Sequence, residues 1–126
     1  MLESFAELPQ TVVERIETLS AMLRGDAEDA DVVSLGSVRG LCRFLVSHAV
    51  AVPEVVADGD GQLIAEWLDD RAGRLSMRFR PDGRAEFALA GGEEAGSPSR
   101  VRLCGAEEPG KAARSVRAVT GRFPFL

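Results

Sequence analysis

Tyrosine is missing from this 126-residue chain, histidine and tryptophan occur once each, and there are only two cysteines. The single histidine, His48, follows Ser47 in a segment with helical spacing. Adjacent side chains on a helix diverge by about 100°, so these two cannot form a hydrogen-bonded dyad with each other. GxxxxGK[ST], GxGxxG, HExxH and GxSxG patterns are also missing. The expectation is a non-enzymatic chain with no cofactor, no catalytic residue and no metal. Cys42 and Cys104 lie far apart without CxxC spacing, which gives neither a zinc site nor a disulfide framework. Both are expected to be reduced, packed thiols.

Long hydrophobic runs are missing too. The longest, Phe44 to Val56, is interrupted by Ser47, His48, Pro53 and Glu54 and falls short of the roughly 20 residues that span a bilayer. The start, Met1-Leu2-Glu3-Ser4-Phe5, has neither a basic region nor an apolar signal core, which reads as a cytoplasmic chain with no membrane partner. Lysine is nearly absent: fourteen of the fifteen basic residues are arginine, a bias of the kind a GC-rich bacterial genome produces.

What is present is ordinary globular material, 45% hydrophobic and 28% charged, with a mean hydropathy of -0.01. The length suits a single domain over residues 1–126 with one core. From about 9 to 24, Val12, Ile16, Leu19 and Leu23 recur on one helical stripe, with Pro9 at the first turn and Gly25 as the residue after the last. Asp26 to Asp31 reads as an acidic loop. A second helix is expected over about 35–49, with Ser34 as N-cap and Val38, Leu41, Cys42, Leu45, Val46 and Ala49 facing inward. Gly36, Gly40, Arg43 and Ser47 form a stripe of mostly small residues on its other side. That stripe suits either close packing on another element or a contact surface for a partner.

After Pro53 the period becomes two, predicting a sheet over about 54–104. Glu54 to Ala57 and Gln62 to Leu68 read as strands joined by the Asp58-Gly59-Asp60-Gly61 turn. Leu75, Met77 and Phe79 alternate with polar residues, as do Ala85, Phe87 and Leu89. Pro81-Asp82-Gly83 fits a three-residue hairpin with Gly in the left-handed position, so Phe79 faces Ala85, Met77 faces Phe87 and Leu75 faces Leu89. Carried back one strand, Trp67 lies beside Leu75, Ala65 beside Met77 and Leu63 beside Phe79, making Trp67 a core residue. Gly91 to Ser99 reads as a mobile loop and Val101 to Cys104 as an edge strand. Residues 109–120 allow a short helix, and Phe123-Pro124-Phe125-Leu126 is apolar enough to dock on the body. The fold class is therefore α+β, with N-terminal helices packed on an antiparallel meander sheet.

The Asp58 to Gln62 segment superficially suggests a calcium loop. Leu63 occupies the position that requires glycine and the flanks read as strands, so it is a turn. The net charge is -5, unevenly spread: residues 1–33 hold eight acidic side chains and two arginines, whereas 100–126 hold six basic ones with Glu107 and Glu108. On the sheet, Arg74, Arg78, Arg80 and Arg84 fall on the non-core face with Glu66 and Glu86 among them, and Arg78 faces Glu86. This face is either simply solvated or an interaction surface. The sequence pI of about 4.9 and the mixed signs disfavour nucleic acid.

From Pro53-Glu-Val-Val-Ala-Asp-Gly-Asp-Gly-Gln-Leu-Ile-Ala-Glu-Trp67 through Arg74-Leu-Ser-Met-Arg-Phe79 to Asp82-Gly83, the chain resembles small uncharacterised bacterial proteins with a "P…DG.I..EW…L…F..DG" strand pattern. The resemblance covers about 40 residues of sheet and implies an accessory component of a mobile or toxin–antitoxin-like locus. It transfers no catalytic residue. The functional expectation is a protein-interaction module of the antitoxin, immunity or adaptor kind, with a protein partner and room for a homodimer. The alternative is a small-ligand-binding or sensory domain.

Overall fold

The structure, a computed structural model, describes residues 10–26 (side chains through Thr18), 34–92 and 100–126. The acidic segment after Asp26, the segment after Gly92, Pro9 and the side chains of Leu19 and Leu23 lie outside these residues. The order is α1 (Gln10–Asp26), α2 (Leu35–Ser47), β1 (Glu54–Ala57), β2 (Leu63–Asp69), β3 (Gly73–Phe79), β4 (Ala85–Ala90), β5 (Val101–Glu107) and α3 (Pro109–Thr120). The strands form one antiparallel sheet in the order β1-β2-β3-β4-β5, a meander, and the class is α+β.

Turn chemistry sets the register as expected. Gly83 has φ +89, its N–H donates to Arg80 O at 3.1 Å, and Arg80 N–H donates to Arg84 O at 2.8 Å. Phe79 then pairs with Ala85, Met77 with Phe87 and Leu75 with Leu89, and each of the six side chains is at most 5% exposed. Trp67 pairs with Leu75 and Ala65 with Met77. The paired register stops at Ile64 and Arg78, one step short of the expected Leu63–Phe79 pair. The Leu63 N–H donates instead to the hydroxyl of Ser37 at 2.7 Å. Trp67 is 4% exposed and its indole N–H donates to Ala51 O at 2.7 Å, which satisfies the one polar atom that burial would otherwise strand.

The helices differ from expectation in their ends and in one orientation. Helix α1 runs to Asp26, so Gly25 lies within its last turn and does not follow it. Helix α2 stops at Ser47, because His48 is already extended (φ -128, ψ 125) and Val50 bridges to Phe125. Ser34 caps α2, accepting from Ser37 N–H at 3.4 Å.

The buried face of α2 is Ser37, Leu41, Cys42 and Phe44, while Val46 is 38% exposed and Ala49 is exposed too. The small-residue stripe borders this buried face because it lets the helix approach the β3–β4 hairpin. A Cβ on Gly36 would stand 2.8 Å from Pro81 O, and one on Gly40 would stand 3.5 Å from the Phe79 ring. Close packing within the fold thus accounts for both glycines.

Strand β5 extends three residues beyond Cys104, to Glu107, and Cys104 is exposed, not packed. Gly105 makes room on the inner face for the Phe87 ring, 3.1 Å from where its Cβ would be. Helix α3 buries Ala112, Ala113 and Val116. The C-terminal residues dock as expected: Phe125 is 5% exposed, Ala51 N–H donates to Pro124 O at 2.9 Å and Leu126 N–H to Ala49 O at 2.9 Å. Inward strand residues and helices α1 to α3 share one hydrophobic cluster. Among the described residues, no helix lies on the sheet's other face.

Candidate functional site

The open face can be read from the ladder. One row crosses the sheet as Val56, Ile64, Arg78, Glu86, Ala106; the next as Glu54, Glu66, Ser76, Ala88, Cys104; a third as Leu68, Arg74, Ala90, Val101. The side-chain period of two puts four of the six residues selected from the sequence, Glu66, Arg74, Arg78 and Glu86, on this side, while Arg80 and Arg84 flank the Pro81–Gly83 turn just outside the strands.

The arginines are all engaged. Arg74 donates from Nε to Glu66 Oε2 at 2.9 Å and from Nη2 to the same oxygen, onto which Ser76 Oγ also donates at 3.4 Å. Glu54 and Glu66 stand directly opposite each other, and Arg74 offsets that like-charge pairing. Arg78 sits between two carboxylates, with Nε 3.2 Å from Asp58 Oδ2 and Nη1 3.3 Å from Glu86 Oε2. Arg80 reaches Asp82 at 2.9 Å. Arg84 donates to the Ala106 backbone oxygen at 2.6 Å. Solvent-exposed pairs of this kind contribute only about 0–1 kcal/mol each, so they shape the surface more than they hold the fold.

Asp58 was legible only as a turn residue. Its Oδ1 accepts from Asp60 N–H at 2.8 Å and Gln62 N–H at 3.0 Å, closing the β1–β2 turn and aiming Oδ2 at Arg78. The β2–β3 half of the face is thus laced with ion pairs, whereas the β4–β5 half, beyond Glu86, presents short or apolar side chains: Ala88, Ala90, Cys104, Ala106 and Val101. Leu68 is 79% and Val101 55% exposed.

Both sheet edges carry an arginine. Ladder alternation turns the Val55 and Ala106 carbonyls outward, off β1 and β5 respectively. Arg15 Nε donates to Val55 O at 2.9 Å, as Arg84 does to Ala106 O.

Two clefts flank the sheet ends. One of about 670 Å³ is lined by Asp69, Ala72, Val119, Phe123 and Leu126 together with Arg71 and Arg102. The other, about 630 Å³, lies between α2, the Pro81–Gly83 turn and the start of α3, with Arg39, Arg43, Ser47 and His48 on its wall. His48 stacks on Phe44 with ring centroids 4.8 Å apart. Burial, and secondarily the charge of Arg117, pushes its pKa below the ordinary histidine value. Burial raises the Cys42 thiol. Among the described residues no group of three His, Cys, Asp or Glu side chains is placed to hold a metal ion, and no helix is long and apolar enough to cross a membrane.

No known family, curated protein or solved structure matches this chain. The functional reading therefore rests on the surfaces themselves.

Proposed function

We propose that this chain is a non-enzymatic protein-interaction module, a cytoplasmic bacterial antitoxin, immunity or adaptor protein, whose open sheet face receives a protein partner. The observation that carries this reading is the division of that face into an ion-paired half and a smooth half. Ala88, Ala90, Cys104 and Ala106 let another backbone or helix approach closely, while Arg74 and Arg78 are held in place by Glu66, Asp58 and Glu86. Guanidinium groups oriented in advance lose little freedom when they exchange a carboxylate for one on a partner. Interspersed carboxylates suit a mixed protein surface and repel a polyanion.

Co-purification from the native host tests it. The tagged chain should retain a stoichiometric protein partner that is lost both in Ala88→Arg, which obstructs the smooth half, and in Arg78→Glu with Arg84→Glu, which reverses the charged half. Each variant should still unfold cooperatively in urea. An unchanged partner profile in both variants would remove the sheet face from consideration.

A second reading, a small-ligand-binding domain, is supported by the cleft of about 670 Å³ beside Phe123. Native mass spectrometry of the purified chain decides between the two, since a retained small molecule in place of a protein favours this second reading.

A further inference from the structure

The arginines selected on the sheet, Arg74, Arg78, Arg80 and Arg84, are each matched by an acceptor on the same molecule, and so is Arg15 of α1, but among the described residues Arg39 and Arg43 of α2 are not. Arg39 and Arg43 lie one turn apart on α2, both exposed, and form no ion pair among the described residues. Like charges at this spacing repel each other, so the pair is retained at a cost to the helix. Helix α3, whose first residues Pro109 and Gly110 line the cleft of about 630 Å³, carries Lys111, Arg114 and Arg117 at three-residue intervals on its exposed side and contains no acidic residue. Arg117 lies over the Phe125 ring, 4.4 Å from its centroid, a cation–π contact in place of an ion pair.

Two carboxylates border the cleft. Asp82 is taken by Arg80, and Glu108 makes no capping bond at the start of α3. His48 is on the same wall, and its pKa is lowered first by burial and only secondarily by the charge of Arg117.

Apolar side chains accompany these charges. On α2 the exposed stripe reads Leu35, Arg39, Arg43, Val46, with Leu35 62% and Val46 38% exposed. A phosphate backbone wants an uninterrupted basic track, which Asp82 and Glu108 break. Discrete cations alternating with exposed aliphatic groups fit a segment bearing discrete carboxylates and its own aliphatic residues.

We propose that the α2–α3 face is a second docking surface, distinct from the open sheet, and that it takes an acidic amphipathic segment of a partner protein. Carboxylates of that segment pair with Arg39, Arg43 and Arg114, and its apolar residues cover Leu35 and Val46.

Fluorescence anisotropy with a labelled peptide of glutamate and leucine, spaced to give one acidic and apolar helical face, tests this. The full chain should bind saturably and more weakly as salt rises. Affinity should fall at least about tenfold in Arg39→Ala with Arg43→Ala and Arg114→Ala, and should persist in Arg78→Glu, which alters only the sheet face. A cooperative urea melt for the triple variant excludes loss of fold as the cause. The proposal fails if the wild type shows no saturable binding or if the triple variant binds equally well. It also fails if single-stranded DNA of equal charge binds more tightly than the peptide. Sedimentation that shows the wild type self-associating through this face, with the triple variant monomeric, would make a second copy the occupant and overturn it as well.

Discussion

The hydroxyl of Ser37 accepts a 2.7 Å hydrogen bond from the backbone N–H of Leu63, and both residues are fully buried. This contact, with the Ser34 N–H donating to Gly61 O at 2.7 Å, ties α2 to the start of β2, where the β2–β3 ladder has ended and the Leu63 N–H would otherwise have no acceptor. Ser37→Ala should destabilise the fold by about 1–3 kcal/mol, the desolvation cost of an orphaned buried donor. Urea melts measure it. A loss under about 0.5 kcal/mol would show that the N–H finds another acceptor.

The same contact explains what could and could not be read from the chain. Strand register was legible because Pro81, Asp82 and Gly83 permit only one loop geometry that gathers Phe79, Met77, Leu75, Phe87 and Leu89 on one side. The orientation of α2 was legible only in part: Leu41, Cys42, Val38 and Leu45 pack on the core, whereas Val46 and Ala49 are exposed and Ser37 is buried in their stead. What turned the helix was the space beside Pro81 and Phe79, a tertiary fact. Of the candidate arginines, Arg74 and Arg78 fall at outward ladder positions, while Arg80 and Arg84 lie just outside the strands, at the hairpin turn. Their partners were legible where strand pairing determines them, as for Arg78 and Glu86. They were illegible where a turn supplies them, as Asp58 does, or where a backbone oxygen does, as at Ala106.

Gly36 and Gly40 should respond oppositely to alanine. At Gly40 the new methyl would meet the Phe79 ring at ordinary contact distance, 3.5 Å, so Gly40→Ala should stabilise by up to about 1 kcal/mol through helix propensity. At Gly36 it would meet the Pro81 backbone oxygen at 2.8 Å, and Gly36→Ala should cost about 1–3 kcal/mol as the hairpin turn is pushed away. Thermal melts of the two variants read the difference in sign.

His48 makes stability depend on pH in a defined direction. Its pKa is lowered in the fold, first by burial and then by Arg117, so the unfolded chain binds the proton more readily. The contribution of His48 is therefore fully present above the ordinary histidine pKa of about 6.5 and is lost as pH falls from there toward the depressed folded value. Urea midpoints between pH 7.5 and 5 should decline less in His48→Asn than in the wild type, all else in the buffer being equal. NMR titration of the imidazole in Arg117→Ala should show the pKa moving back up. An imidazole that titrates at or above its ordinary value in the wild type would contradict this.

Arg15 and Arg84 should act as guards of the sheet edges. Each occupies an outward carbonyl, of Val55 and of Ala106, that a strand from another molecule would need. Arg15→Ala with Arg84→Ala should leave the fold close to wild-type stability, since each of these bonds, one part-buried and one exposed, is worth about 1 kcal/mol. Light scattering at elevated concentration should nonetheless show faster association than in the wild type. Equal rates would mean that the edges are protected by other means.

The bridge between Val50 and Phe125 joins the segment before the sheet to the end of the chain, whereas every strand of the meander pairs only with its neighbour in sequence. These two kinds of contact belong to different moments of folding. Neighbouring strands close through short loops and can assemble early, while the bridge must wait for a wide loop to close over a sheet already in place. Phe125 is thus a late latch. In stopped-flow experiments Phe125→Ala should speed unfolding and leave the refolding rate nearly unchanged, so the lifetime of the native state is set at the end of the chain even though its architecture is laid down in the middle.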